Sequence, residues 1–132
     1  MAPATTELSA FLHGEIDARD FRHADHVRMA FEVLARHSFL EAATAVSAAL
    51  KAMARRAGNP DAYHETITLA FLAVIGERRA AGGFSDYDGF AAANPDLLDK
   101  AVLSRWYGPR KLASKTARRL FVLPDPSWRS PS

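Results

Sequence analysis

Residues 59–83 read NPDAYHETITLAFLAVIGERRAAGG, and this stretch decides the fold. Asn59 is a helix-capping residue type, Pro60 follows where a first helical turn tolerates proline, and Asp61 suits the positive end of a helix dipole. Gly82 and Gly83 close the segment. In between, His64, Ile67, Thr68, Phe71, Leu72 and Ile75 recur at helical spacing and predict one inward stripe.

Upstream, three more stripes show the same period. Leu8, Phe11, Leu12, Glu15 and Ile16 predict a first helix that ends near Gly14 and Asp17. Asp20 is placed to cap a second, whose inward face is His23, His26, Val27, Ala30, Phe31 and Leu34. Its arginines and acids, Arg22, Asp25, Arg28, Glu32 and Arg36, fall opposite. The third, FLEAATAVSAALKAMARRAG (39–58), lines up Phe39, Ala43, Val46, Ser47, Leu50, Met53 and Ala54, with Gly58 to close it.

Downstream the pattern shortens. Ser85, Asn94 and Ser114 look like caps of brief helices in SDYDGFAAA, NPDLLDKAVLSRWY and SKTARRLF. No segment reads as a strand. The expectation is an all-α fold: an up-down four-helix bundle with short additional C-terminal helices, one domain over 1–126 and a loose, proline-rich tail at 127–132.

Composition narrows the function classes. The chain has 132 residues, 48% hydrophobic and 24% charged, enough for one core and too few to divide comfortably. It has no cysteine, which removes disulfides, thiolate metal sites and a cysteine nucleophile. MAPATTELSA lacks the pattern of a signal peptide and no stretch suits a membrane span, so a soluble cytoplasmic protein with no membrane partner is expected. A net charge of +2 argues against a dedicated nucleic-acid protein.

The histidines then carry the functional reading. On a helical wheel His23 lies near the centre of the second stripe and His26 at its edge, whereas Asp25 points away. His64 heads the fourth stripe, and Glu15 is the one acid on the first. His13 and His37 fall where solvent is expected. In an up-down bundle the starts of helices two and four and the end of helix one share a rim, so Glu15, His23, His26 and His64 should converge.

Side chains three apart on a helix can reach one ion, and such a set suits a divalent transition metal, Zn, Fe, Ni or Cu, with an open position. Partial burial and nearby helix N termini keep the imidazoles neutral, fit to ligate or to act as bases. Tyr63, Glu65 and Thr68 would then supply an acid, a base or an orienting hydrogen bond. The plain alternative is a set of core histidines satisfied by carbonyls or carboxylates.

A second feature is RWYGPRKLASKTARR (105–119), with six basic residues and no acid. It reads as a solvated basic face, or as the binding surface for an anionic small molecule, with Arg105, Trp106, Tyr107 and Arg110 as contacts. No dinucleotide, phosphate-loop or nucleophile-elbow motif occurs.

The blocks FRHADHVRMAFEVL, YHETITLAFL, NPDLLDK with RWYGPRKL, and ARRLFVLPDP resemble those of a group of small, largely uncharacterised bacterial helical proteins with FxHxxH and YHET blocks. The resemblance covers most of residues 8–126 and implies an intact single domain, but no particular activity. The gathering of histidines from separate helices is similar in architecture alone to DinB-type metal-binding bundles, whose ligand spacing is not reproduced.

The leading expectation is therefore a small metalloenzyme, a metal-dependent hydrolase or lyase. It would act on a small, anionic molecule by metal-assisted hydrolysis, elimination or rearrangement. The alternatives are a metal-free acid–base enzyme using the same histidines, or a non-catalytic ligand- or partner-binding module. A homodimer is compatible with each.

Overall fold

The computed structural model describes residues 6–126, and among them every regular element is helical. The expected N-terminal leader reading and the tail at 127–132 rest wholly or partly on residues outside that range. A short α1 (Thr6–Leu12) precedes three long helices, α2 (His23–Arg36), α3 (Phe39–Arg56) and α4 (Glu65–Gly82). Shorter ones follow: α5 (Tyr87–Ala93), 3₁₀ turns at Pro95–Leu98 and Lys100–Arg105, α6 (Pro109–Leu112) and α7 (Lys115–Arg119).

Local chemistry sets most of the boundaries. Ser38 and Glu41 form a reciprocal capping box that starts α3, with the Ser38 oxygen accepting the Glu41 N–H and the Glu41 carboxylate accepting the Ser38 N–H. Asp25 reaches back in the same way to the Arg22 N–H at the start of α2. Gly83, at φ +61°, ends α4 in the left-handed conformation that glycine adopts without cost. Gly14 turns the chain after α1 at φ +68°, and a Cβ there would stand 2.6 Å from the Ala52 Cβ of α3.

Several boundaries differ from expectation, and α2 is capped at Arg22 rather than at Asp20. Asn59 and Pro60 begin only a 3₁₀ turn, Pro60–Ala62, and α4 starts five residues later than the sequence suggests. His64 is therefore the residue before the helix rather than part of its inward stripe. The NPDLLDKAVLSRWY segment likewise breaks into two 3₁₀ turns at Asp99, and α6 has no counterpart in the sequence reading.

The core is one cluster drawn from α1 to α5 and the C-terminal turns. Leu8 and Phe11 of α1, Met29 and Val33 of α2, Ala42 and Ala49 of α3, and Leu72 and Ile75 of α4 are nearly inaccessible. Phe11 stacks on Phe21 at 5.2 Å, and Phe31, Phe84 and Phe90 close the far end. Helix α4 packs on α2 and α3 with one face and on α7 with another. That second buried face places the C-terminal part of the chain against the start of α4.

Candidate functional site

The expected ligands occupy separate environments. His23, the first residue of α2, has its ring edge-on to Phe71 at 4.9 Å, and its Nε2–H donates to the Leu97 carbonyl at 2.9 Å. His26, one turn along, packs instead on Phe21 at 4.5 Å, and its ring nitrogens bond no described residue. His64 is buried. Its Nδ1 accepts the Ile67 N–H at 3.1 Å as the N-cap of α4, which leaves the proton on Nε2 to donate to the Leu112 carbonyl at 2.8 Å.

Those carbonyls explain the arrangement. Leu97 and Leu112 lie in the last turns of short helical elements, whose terminal C=O groups have no partner within the element. Two imidazoles fill that need from outside. A metal at His64 would have to displace either its cap or its carbonyl.

Glu15 is exposed beyond the end of α1, which stops at Leu12 and not at the acid. Its neighbour Gly14 is fixed by Arg56, which donates to the Gly14 carbonyl at 2.6 Å. Among the described residues no three His, Asp or Glu side chains are grouped to hold an ion. The expected convergence of Glu15, His23, His26 and His64 is therefore not the arrangement in the structure. The three histidines are drawn to different neighbours, His23 to Phe71 and Leu97, His26 to Phe21, and His64 to Leu112. His13 and His37 are exposed, as expected.

Burial lowers the basicity of His26 most, with the adjacent His23 adding to the effect, and its pKa falls to about 4. At neutral pH it is an uncharged, half-buried ring.

The expected acid–base group does come together. Tyr63 donates its phenol proton to Glu65 Oε1 at 2.6 Å, and the Lys51 ammonium stands over the Tyr63 ring at 5.2 Å from its centre. Burial, and then the Glu65 hydrogen bond, push the phenol upward, so it remains a donor at neutral pH. Thr68 and Ser47 stand beside it, but their own protons go to the backbone carbonyls of His64 and Thr44. The cluster is a satisfied polar seam between α3 and α4.

Most of the expected anion-binding residues have partners within the protein. Tyr107 is buried and donates to the Val122 carbonyl at 2.8 Å. Trp106 packs against the core, and its carbonyl accepts the Asp125 N–H. Arg105 pairs with Asp96 at 3.2 Å, the same carboxylate that Arg78 grips through two nitrogens at 3.0 and 2.9 Å. Arg78 also donates to Asn94 Oδ1 and so ties α4 to the NPDLL turn. Of the four, only Arg110 is an exposed cation without an ion pair to a described residue.

Sequence reasoning missed a residue that ties α4 to the C-terminal segment twice. Thr66, fully buried, donates its hydroxyl to the Leu120 carbonyl at 2.6 Å and accepts the Val122 N–H at 3.0 Å. With His64 to Leu112, Tyr107 to Val122, and Arg118 to the Asp61 carbonyl at 2.6 Å, it forms a clasp between the head of α4 and residues 105–123. No local signal marks a contact across 54 residues. An open groove of about 370 Å³ between the α1–α2 connection and the end of α3, lined by Asp17, Arg19, Met53 and Arg56, was also unforeseen. Its charges are engaged: Asp17 pairs with Arg19, and Arg56 is held by Gly14.

The clasp leaves its outer face open. Leu120, Phe121 and Leu123 are 60%, 45% and 72% exposed, on backbone that buried side chains hold in place. No family model, curated protein or solved structure matches this chain. No helix among the described residues is long and apolar enough to cross a membrane.

Proposed function

We propose that this chain is a protein-binding module without turnover, and that it docks its partner on residues 120–123 beside the basic end of α7. The reading takes the long helices as an up-down scaffold and the chain as cytoplasmic. The observation that carries it is the exposure of Leu120, Phe121 and Leu123 on a fixed segment. Single exposed leucines are ordinary on any protein surface. Three within four consecutive positions make a patch, and here the backbone beneath is already ordered by Thr66 and Tyr107, so docking does not bear that entropy.

The polar groups expected to do chemistry support this reading by their partners. His64 uses both ring nitrogens on backbone, and His23 uses one. They serve to hold the C-terminal turns against α2 and α4.

The test is selection of peptides from a random library on the immobilised domain, followed by measurement on three proteins. Selected peptides should bind the native domain and a Leu40→Ser control alike, and bind a Leu120→Ser/Phe121→Ser/Leu123→Ser variant at least tenfold more weakly. Leu40 is 76% exposed on α3, so the control removes comparable apolar surface elsewhere. Peptides that ignore the triple substitution, or a library that yields no binder, overturn the proposal.

A further inference from the structure

In an extended chain the N–H and C=O of one residue point to one side, and those of the next residue point to the other. Leu120 is extended, at φ −130° and ψ 166°. The inward groups of the following stretch are all engaged: the Leu120 carbonyl and Val122 N–H with Thr66, and the Val122 carbonyl with Tyr107. Phe121 and Leu123 therefore present their main-chain groups outward. The Lys111 ammonium takes the Leu123 carbonyl at 2.9 Å. The Phe121 N–H, the Phe121 C=O and the Leu123 N–H bond no described residue.

Three unpaired main-chain groups, spaced two residues apart and flanked by exposed apolar side chains, have the form of a strand edge. Pro124 and Pro126 lack N–H groups and end it at residue 123. The surrounding charge indicates what would pair with it. Lys115 and Arg119 of α7 and Arg110 of α6 are exposed and make no ion pair with a described residue. The acid in the adjoining sequence, Asp125, is paired with Lys111 at 3.4 Å and accepts the Gly108 N–H. Edge pairing between two copies of this chain would bring two such basic sets together, which like-charge repulsion opposes.

We infer that the partner is an extended peptide rich in acidic side chains, which adds as a strand to the outer edge of residues 120–123. The inference rests on the docking reading above and gives its mode and the partner's chemistry. Main-chain hydrogen bonds at Phe121 and Leu123 supply the register. The apolar side chains and basic rim supply selectivity.

The probe is a blocked octapeptide alternating glutamate and valine, with a lysine–valine octapeptide as its counterpart. The acidic peptide should bind at least tenfold more tightly than the basic one, and more weakly as salt rises. On binding, amide exchange at Phe121 and Leu123 should slow at least tenfold. Leu123→Pro, which removes an outward N–H, should weaken binding at least tenfold relative to Leu123→Ala. Equal affinity for both peptides, no binding of the acidic one, or self-association through Phe121 in place of peptide binding each overturns the inference. Library peptides that depend on the patch yet leave both amides exchanging freely overturn strand addition alone. Loss of all patch-dependent binding overturns the docking reading as well.

Discussion

Replacing Thr66 with valine keeps the shape of a fully buried side chain and deletes one oxygen. That oxygen makes two bonds to the C-terminal segment, to the Leu120 carbonyl at 2.6 Å and from the Val122 N–H at 3.0 Å. A typical internal hydrogen bond contributes about 1 kcal/mol net, and a buried group left without its partner costs about 1–3 kcal/mol. Leu120 is exposed and Val122 half-buried, so water compensates part of the loss. The expected destabilisation is about 2–3 kcal/mol, or roughly 6–12 °C in melting temperature for a domain of this size. Thr66→Ser provides the comparison, because it keeps the hydroxyl and removes one buried methyl at about 1 kcal/mol. Urea unfolding at constant m-value should rank the proteins native, Ser, then Val. Amide exchange at Val122 should accelerate in the Val variant and change little in the Ser one. A Val variant as stable as the Ser variant would refute the reasoning, since the oxygen would then be holding nothing.

Three further outcomes follow from the same geometry. His26 has a folded pKa of about 4 against an ordinary 6.5, so the unfolded chain takes up its proton first. The shift corresponds to about 3 kcal/mol of stability that is present at pH 7 and lost as pH falls from about 6.5 to about 4. Thermal melts of native and His26→Leu protein across that window should show a shallower fall in the variant, and parallel curves would contradict the assignment. Asp96→Asn keeps the shape but removes the charge gripped by Arg78 and Arg105, and should cost about 1–2 kcal/mol by urea titration, less in high salt; no loss would mean that the pairing is incidental. Equimolar zinc should move the melting temperature by less than about 1 °C, since a ligand stabilises only by its preference for the folded state. A rise of several degrees that disappears in His64→Ala would restore the three-histidine centre.

The helical class and the ends of α3 and α4 were legible because they are written locally. Left-handed glycines at Gly58 and Gly83 need only neighbours in sequence. The start of α4 was not, because Asn59 and Pro60 suit either a 3₁₀ turn or a longer helix, and the choice is made by His64 and its distant partner Leu112. That one displacement moved His64 off the inward stripe from which the expected convergence was drawn. Tyr63 and Glu65 meet because they are two residues apart. Thr66 escaped notice because α4 buries two faces, and a stripe drawn toward α2 and α3 hides a contact with α7. The basic run at 105–119 could be counted, but nothing in it says that Arg105 is spent on Asp96 while Arg110, Lys115 and Arg119 stay open.

The most direct measurement is residue-resolved amide hydrogen exchange of residues 120–123 in the free domain. The clasp predicts that the Val122 amide, bonded to a buried hydroxyl, exchanges at least a hundredfold more slowly than the flanking amides of Phe121 and Leu123, which should exchange near the rate of an open chain. Protection of Phe121 and Leu123 to the same degree as Val122, or no protection at Val122, would contradict it.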